Sequence, residues 1–124
     1  GGEGSAFELP PDHPDHGKRV AAYYWWLYPN LMLNFYPWGL SANIVEPLGT
    51  GRARVRFLSY IWREDLVDVG AGGPLDKVEK EDEAVVEAVQ AGVKSRLYGR
   101  GRYSPTQEKG THHFHRLLVD ALFR

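Results

Sequence analysis

The stretch that decides the fold is Arg52–Glu64, "RARVRFLSYIWRE". Arg52, Arg54 and Arg56 alternate with Ala53, Val55 and Phe57. A period of two puts the arginines on one face of a strand and the apolar side chains on the other. From Leu58 to Trp62 the pattern turns apolar on both sides, as expected where a sheet becomes covered. Strand neighbours lie upstream. "AAYYWWLYPNLMLNFYPW" (21–38) is dense in aromatic residues, and Pro29-Asn30 breaks it into two strands. "GLSANIVEPL" (39–48) reads as a third, ending at Pro47, and "LGTG" (48–51) as a hairpin turn. Further upstream, residues 1–20 carry "LPPDHPDHGKR" with no periodicity, which marks a loop or arm ahead of a domain over 21–124.

Downstream the period changes. After the loop "VGAGGP" (69–74), the sequence predicts a helix that begins near Pro74 and carries "KVEKEDEAVVEAVQAGVKSRL" (77–97) until "YGRGRY" (98–103) breaks it. Val78, Val85, Val89 and Val93 share one helical face, and Asp82 projects into the middle of it. Ser104-Pro105-Thr106-Gln107 has the form of a capping box, with Ser104 at N-cap and Gln107 at N3. A last helix then shows Phe114, Leu117, Leu118, Ala121 and Leu122 on one face. Strands first and helices after predict an α+β domain, an antiparallel meander covered by helix.

Composition narrows the function. The chain has 124 residues and a net charge of -1, so neither nucleic acid nor an acidic membrane is an evident partner. No apolar run approaches the ~20 residues of a membrane helix. No cysteine is present, which removes thiolate catalysis, zinc–thiolate sites and a cysteine-held iron–sulfur cluster from this chain. Together with the lack of a signal-peptide pattern, this points to a cytoplasmic setting. Three Asn, two Gln and one Met beside abundant Arg hint at a thermophilic source.

Asp82 is the residue that asks for a reason. A buried unpaired carboxylate costs several kcal/mol, so an inward Asp82 needs a partner. A salt bridge to Arg96 or a strand arginine is the first reading, a metal or catalytic role the second, and a helix out of phase the third. Glu81 and Glu83 point away from that face. His13 and His16 sit in the Pro-rich arm, where Pro14 disfavours a helical His-x-x-His clamp. His112 and His115 in "HHFH" miss the centre of the apolar face, which fits solvent or a subunit contact. Among the crowded aromatics most must be core. Alternation sends the rest to the other face, where Trp25, Phe35 and Trp38 are candidates to line a pocket for an aromatic or quaternary-ammonium ligand.

"PNLMLNFYP" (29–37), the Glu81-Asp82 pair ahead of Val89-Gln90, and "GRYSP…HHFH" (101–115) occur in an order that resembles a known family. The likeness is to the C-terminal part of the catalytic domain of Rieske-type ring-hydroxylating oxygenase α subunits, above all the branch acting on choline, carnitine and related betaines. It covers roughly Leu9 to Leu122. It implies a partial helix-grip fold, a curved antiparallel sheet packed on a long helix. It also implies that Asp82 matches the carboxylate ligand of a mononuclear non-haem Fe(2+). The two iron-binding histidines of that family fall upstream of the matched part, so His13 and His16 do not inherit the role, and the Rieske domain lies outside the match. The resemblance therefore implies a portion of an oxygenase, inactive alone, that needs a Rieske-domain partner chain for iron and electrons. Three expectations stand beside one another: such a split oxygenase, a stand-alone ligand-binding module, and a remnant that only folds. In each, formerly covered surface predicts a homo-oligomer.

Overall fold

A computed structural model describes the chain at residues 5–71 and 75–124, with backbone alone at 75–78. The elements are β1 (Tyr23–Leu27), β2 (Leu31–Tyr36), β3 (Gly39–Gly49), β4 (Arg52–Ile61), a 3₁₀ turn at Glu64–Leu66, α1 (Leu75–Gly92) and α2 (Lys109–Leu122). The four strands form one antiparallel sheet in the order β1-β2-β3-β4. With two helices after it, the chain is α+β, as the change of period predicts.

Two compact units divide the chain, Gly1–Glu79 and Lys80–Arg124. In the first, short connections make the meander. The β1–β2 turn holds a cis Tyr28–Pro29 peptide. Asn30 then ties the turn to β3: its Nδ2 donates to the Val45 carbonyl at 2.8 Å, and Val45 N donates back to the Asn30 carbonyl at 3.0 Å. β3 does not end at Pro47. It runs on to Gly49, with a register irregularity between Pro47 and Gly49, a place where a proline without an N–H is tolerated.

Register assigns the two faces, because directly paired residues point the same way. Trp25, Leu33, Ala42 and Leu58 form one row of the first face, flanked by Tyr23, Phe35, Leu40 and Tyr60. Tyr24, Asn34, Ser41 and Ser59 form a row of the second face, and Tyr36 and Ile61 continue it. The fully buried side chains cluster at one end of the sheet: Tyr36, Trp38, Ser41 and Ala42. Trp38 lies in the two-residue β2–β3 turn and stacks on Tyr36 with centroids 5.2 Å apart. Beside it, β4 closes on the turn. Trp62 N and Arg63 N both donate to the Trp38 carbonyl at 3.0 Å, and Trp62 Nε1 donates to the Pro37 carbonyl at 3.0 Å. Gly39 is packed so tightly against β4 that a Cβ there would overlap the Tyr60 carbonyl oxygen.

The arm over 5–20 is a hydrogen-bonded lobe. Phe7 N donates to the Val20 carbonyl, and Phe7 rests on Tyr23 at 5.4 Å. Asp15 is its clasp: one carboxylate oxygen accepts from Lys18 at 2.7 Å, the other from the Tyr23 hydroxyl at 3.0 Å.

In the second unit, α1 stops at Gly92, five residues short of the predicted end. Gly92 gives the helix poor propensity, and 93–98 continue as turns, with Ser95 N donating to the Gly92 carbonyl. The expected start at Pro74, and Val78 as a side chain of the stripe, lie outside the described residues. The capping box also resolves differently. Gln107 N donates to Ser104 Oγ, but the reciprocal carboxylate is Glu108, which accepts from Ser104 N at 2.6 Å. This closes a separate turn at 104–108, and α2 begins only at Lys109. On α2, Phe114, Leu117 and Leu118 are half-buried, while Ala121 and Leu122 are exposed.

Candidate functional site

Asp82 stands on α1 and is exposed, as are Glu81, Glu83 and Glu87 on the same helix. Val85 and Val89, which share its face by helical phase, are 62% and 58% exposed. The stripe is thus apolar surface with a carboxylate set in it. Among the described residues, no salt bridge joins Asp82 to Arg96. Among the described residues no group of three or more His, Cys, Asp or Glu converges on one point.

The three aromatic candidates separate. Trp25 and Phe35 lie on the first face of the sheet, Trp25 opposite Leu33 and Phe35 opposite Tyr23. Trp25 is 61% exposed and Phe35 partly buried, so they offer an open apolar wall. Trp38 is 2% exposed and stacks on Tyr36, a side chain of the second face. Sequence alternation could not see this, because Trp38 sits in a turn where the period of two is interrupted.

That second cluster is the more ordered one. Tyr24 meets Tyr36 edge to face at 6.1 Å. Burial first, then a hydrogen bond with Tyr24, then the negative charge of Glu79, hold the Tyr36 phenol well above the ordinary tyrosine value, so it stays protonated. Among the described residues no acceptor meets the buried Trp38 indole N–H. An orphaned donor of this kind costs about 1–3 kcal/mol and marks a place where an acceptor would be welcome.

The histidines fall in two places. His13 and His16 belong to the arm: His13 Nδ1 accepts from Asp15 N at 3.1 Å, and His16 Nδ1 contacts the Leu9 carbonyl at 2.8 Å. His112 and His115 lie on α2 and, with Tyr103, Arg116, Val119 and Asp120, line a groove of about 380 Å³. The Tyr103 hydroxyl is hydrogen-bonded to His115 Nδ1, and its ring stands edge-on to both imidazoles, at 5.0 Å from His112 and 5.7 Å from His115. Sequence phase finds the two histidines; nothing in "YGRGRY" announces that its last tyrosine folds back on them.

No helix among the described residues is long and apolar enough to cross a membrane. Comparison with known proteins adds what geometry alone does not supply. The family described as "Ring hydroxylating alpha subunit (catalytic domain)" matches residues 2–123. Chloroplastic choline monooxygenase of Arabidopsis thaliana is 41% identical over 103 residues, 78% of this chain and 24% of that protein. The Spinacia oleracea enzyme is 36% identical over 116 residues, 88% of this chain and 26% of that protein. The carnitine monooxygenase oxygenase subunit of Escherichia coli K12 is 34% identical over 117 residues, 85% of this chain and 31% of that protein. The chain thus spans about a quarter to a third of the length of these relatives. No solved structure matches. A family match that runs through every strand and both helices, from residue 2 to residue 123, means that the chain belongs to the ring-hydroxylating α-subunit catalytic-domain family.

Proposed function

We propose that this chain is the C-terminal portion of a Rieske-type non-haem iron oxygenase catalytic domain of the choline and carnitine branch. It does not oxygenate by itself, and a Rieske-domain chain or segment completes it. The observation that carries this reading is the family match over 2–123 together with relatives named for choline and carnitine monooxygenation. Asp82 is the carboxylate this chain contributes to the metal. It supplies one oxygen donor, and the two histidines that finish a two-His-one-carboxylate set come from the completing segment. Bound there, Fe(2+) would supply activation of dioxygen with electrons from the Rieske cluster.

The chain's own residues bind and orient. A trimethylammonium group is a diffuse cation that aromatic faces stabilise without hydrogen bonds. Trp25 and Phe35 offer such a wall on one face of the sheet, while Trp38, buried in its stack with Tyr36, holds the sheet end that supports it. The stripe of Val85 and Val89 around Asp82 is the surface that the completing segment, or a second copy of the chain, would cover; about 25 cal/mol is gained per Å² of apolar area removed from water. An assembly of two or more chains is therefore expected by light scattering, and a monomer at working concentrations would count against it.

The test of the main reading mixes this chain with an N-terminal half bearing a Rieske domain. Iron content and oxidation of a trimethylammonium substrate are measured, with Asp82→Ala beside the native chain. A complex that retains iron with Asp82 and loses it with Asp82→Ala is expected. Equal iron in both removes the ligand assignment; no complex at all removes the split arrangement.

The orphaned Trp38 N–H favours one second reading, a stand-alone module that binds a small ligand bearing an acceptor group. Calorimetry with carnitine, betaine and small aromatic acids decides it, and no heat with any of them eliminates it.

A further inference from the structure

The groove on α2 is unused by the proposed oxygenase chemistry, and its donors are unlike those around Asp82. Two imidazoles one helical turn apart, His112 and His115, stand on one side of a helix. A phenol from the preceding loop, Tyr103, is edge-on to both rings and hydrogen-bonded to one of them. In the tautomer that carries its proton on Nε2, His115 Nδ1 accepts from the phenol and aims a lone pair at the phenolic oxygen. A proton held between a phenolic oxygen and an imidazole nitrogen occupies the place a divalent cation takes when both act as ligands.

We propose that Tyr103, His112 and His115 form a binding site for a divalent transition-metal ion of the copper(II) type. The metal takes the place of the shared proton, which leaves to solvent; Tyr103 becomes a phenolate ligand, and the two histidines bind as neutral imidazoles. Two nitrogens and one oxygen form the mixed N,O donor set that suits copper(II), and the affinity order places copper(II) above zinc(II). Asp120 lines the same groove and supplies a compensating negative charge, while Arg116 opposes the cation. Because a proton is released, binding tightens as pH rises. The site uses no residue of the proposed iron ligation or aromatic wall, so the two readings fail separately.

The experiment titrates the untagged chain with copper(II) alone, at pH 6 and pH 8, following bound metal by dialysis and the visible spectrum. One ion per chain is expected, with a phenolate-to-copper charge-transfer band that strengthens at pH 8. Tyr103→Phe, which keeps the ring, abolishes the band. His112→Ala and His115→Ala each weaken binding by about tenfold or more, the order of loss seen when metal-site partners are removed. Zinc(II), spectroscopically silent, bleaches the band only in excess. Far-ultraviolet circular dichroism checks that each variant keeps α2. Binding without the band, binding unchanged in Tyr103→Phe, or binding lost instead in His13→Ala or His16→Ala would each overturn the proposal, as would failure to retain copper(II).

Discussion

The end of the sheet around Trp38 and the helix α1 are opposites. At the first, Tyr36, Trp38, Ser41 and Ala42 are buried, and β4 is tied to the β2–β3 turn by three hydrogen bonds. At the second, every residue from Lys80 to Gly92 is exposed, although the helix carries an apolar stripe. One region is closed by its own contacts; the other displays an apolar pattern on its surface. The difference teaches that hydrophobic patterning alone does not say what covers it.

Four measurements break or sharpen that contrast. The largest effect is expected from Trp38→Ala. It removes the central buried ring, and a loss of about 3–5 kcal/mol should appear as a lowered urea midpoint; a loss below about 1 kcal/mol would mean the sheet end is not the core. Gly39→Ala comes next. Its methyl group would meet the Tyr60 backbone carbonyl, which cannot swing aside as a side chain could, so about 1–3 kcal/mol is expected by thermal or urea unfolding. A smaller effect is tied to pH. The Lys18 hydrogen bond, and after it that of Tyr23, hold the Asp15 carboxyl below its ordinary value. A depressed folded pKa contributes stability that is present above the unfolded carboxylate value and is lost as pH falls through the folded one. Asp15→Asn should therefore lower the melting temperature at pH 7 and leave it little changed at strongly acidic pH; equal lowering at both would show that the clasp is not electrostatic. The smallest effect belongs to Val89→Ser on α1, within about 0.5 kcal/mol for the chain alone. The same substitution should weaken any assembly that covers the stripe.

Much of the fold was legible because its signals are periodic. The arginine alternation of β4, the break at Pro29-Asn30 and the valine spacing of α1 each report a local geometry, and the sheet and helices occur where those patterns place them. What escaped depends on places where period fails. Aromatic crowding groups Trp38 with Trp25 and Phe35, yet a two-residue turn carries it to the stack on Tyr36. The Ser104 box predicts the start of α2, but Glu108 rather than Gln107 completes it, and the helix starts one turn later. The arm reads in sequence as loop or arm; Asp15 gathers Lys18 and Tyr23 there, the latter a contact between residues eight apart that no short motif encodes. The meeting of Tyr103 with His115, twelve residues on, is hidden for the same reason.

The outer edge of β4 carries a last consequence. Ten residues of strand have no ladder partner on that side among the described residues, which in most proteins invites one sheet to grow onto another. Here Arg52, Arg54 and Arg56 lie along the strand, and among the described residues only Arg56 is offset by an ion pair, with Glu46 at 2.8 Å. Two such margins brought together with their arginine halves in register would set like charge against like, which disfavours that pairing of β4 with a second copy of itself.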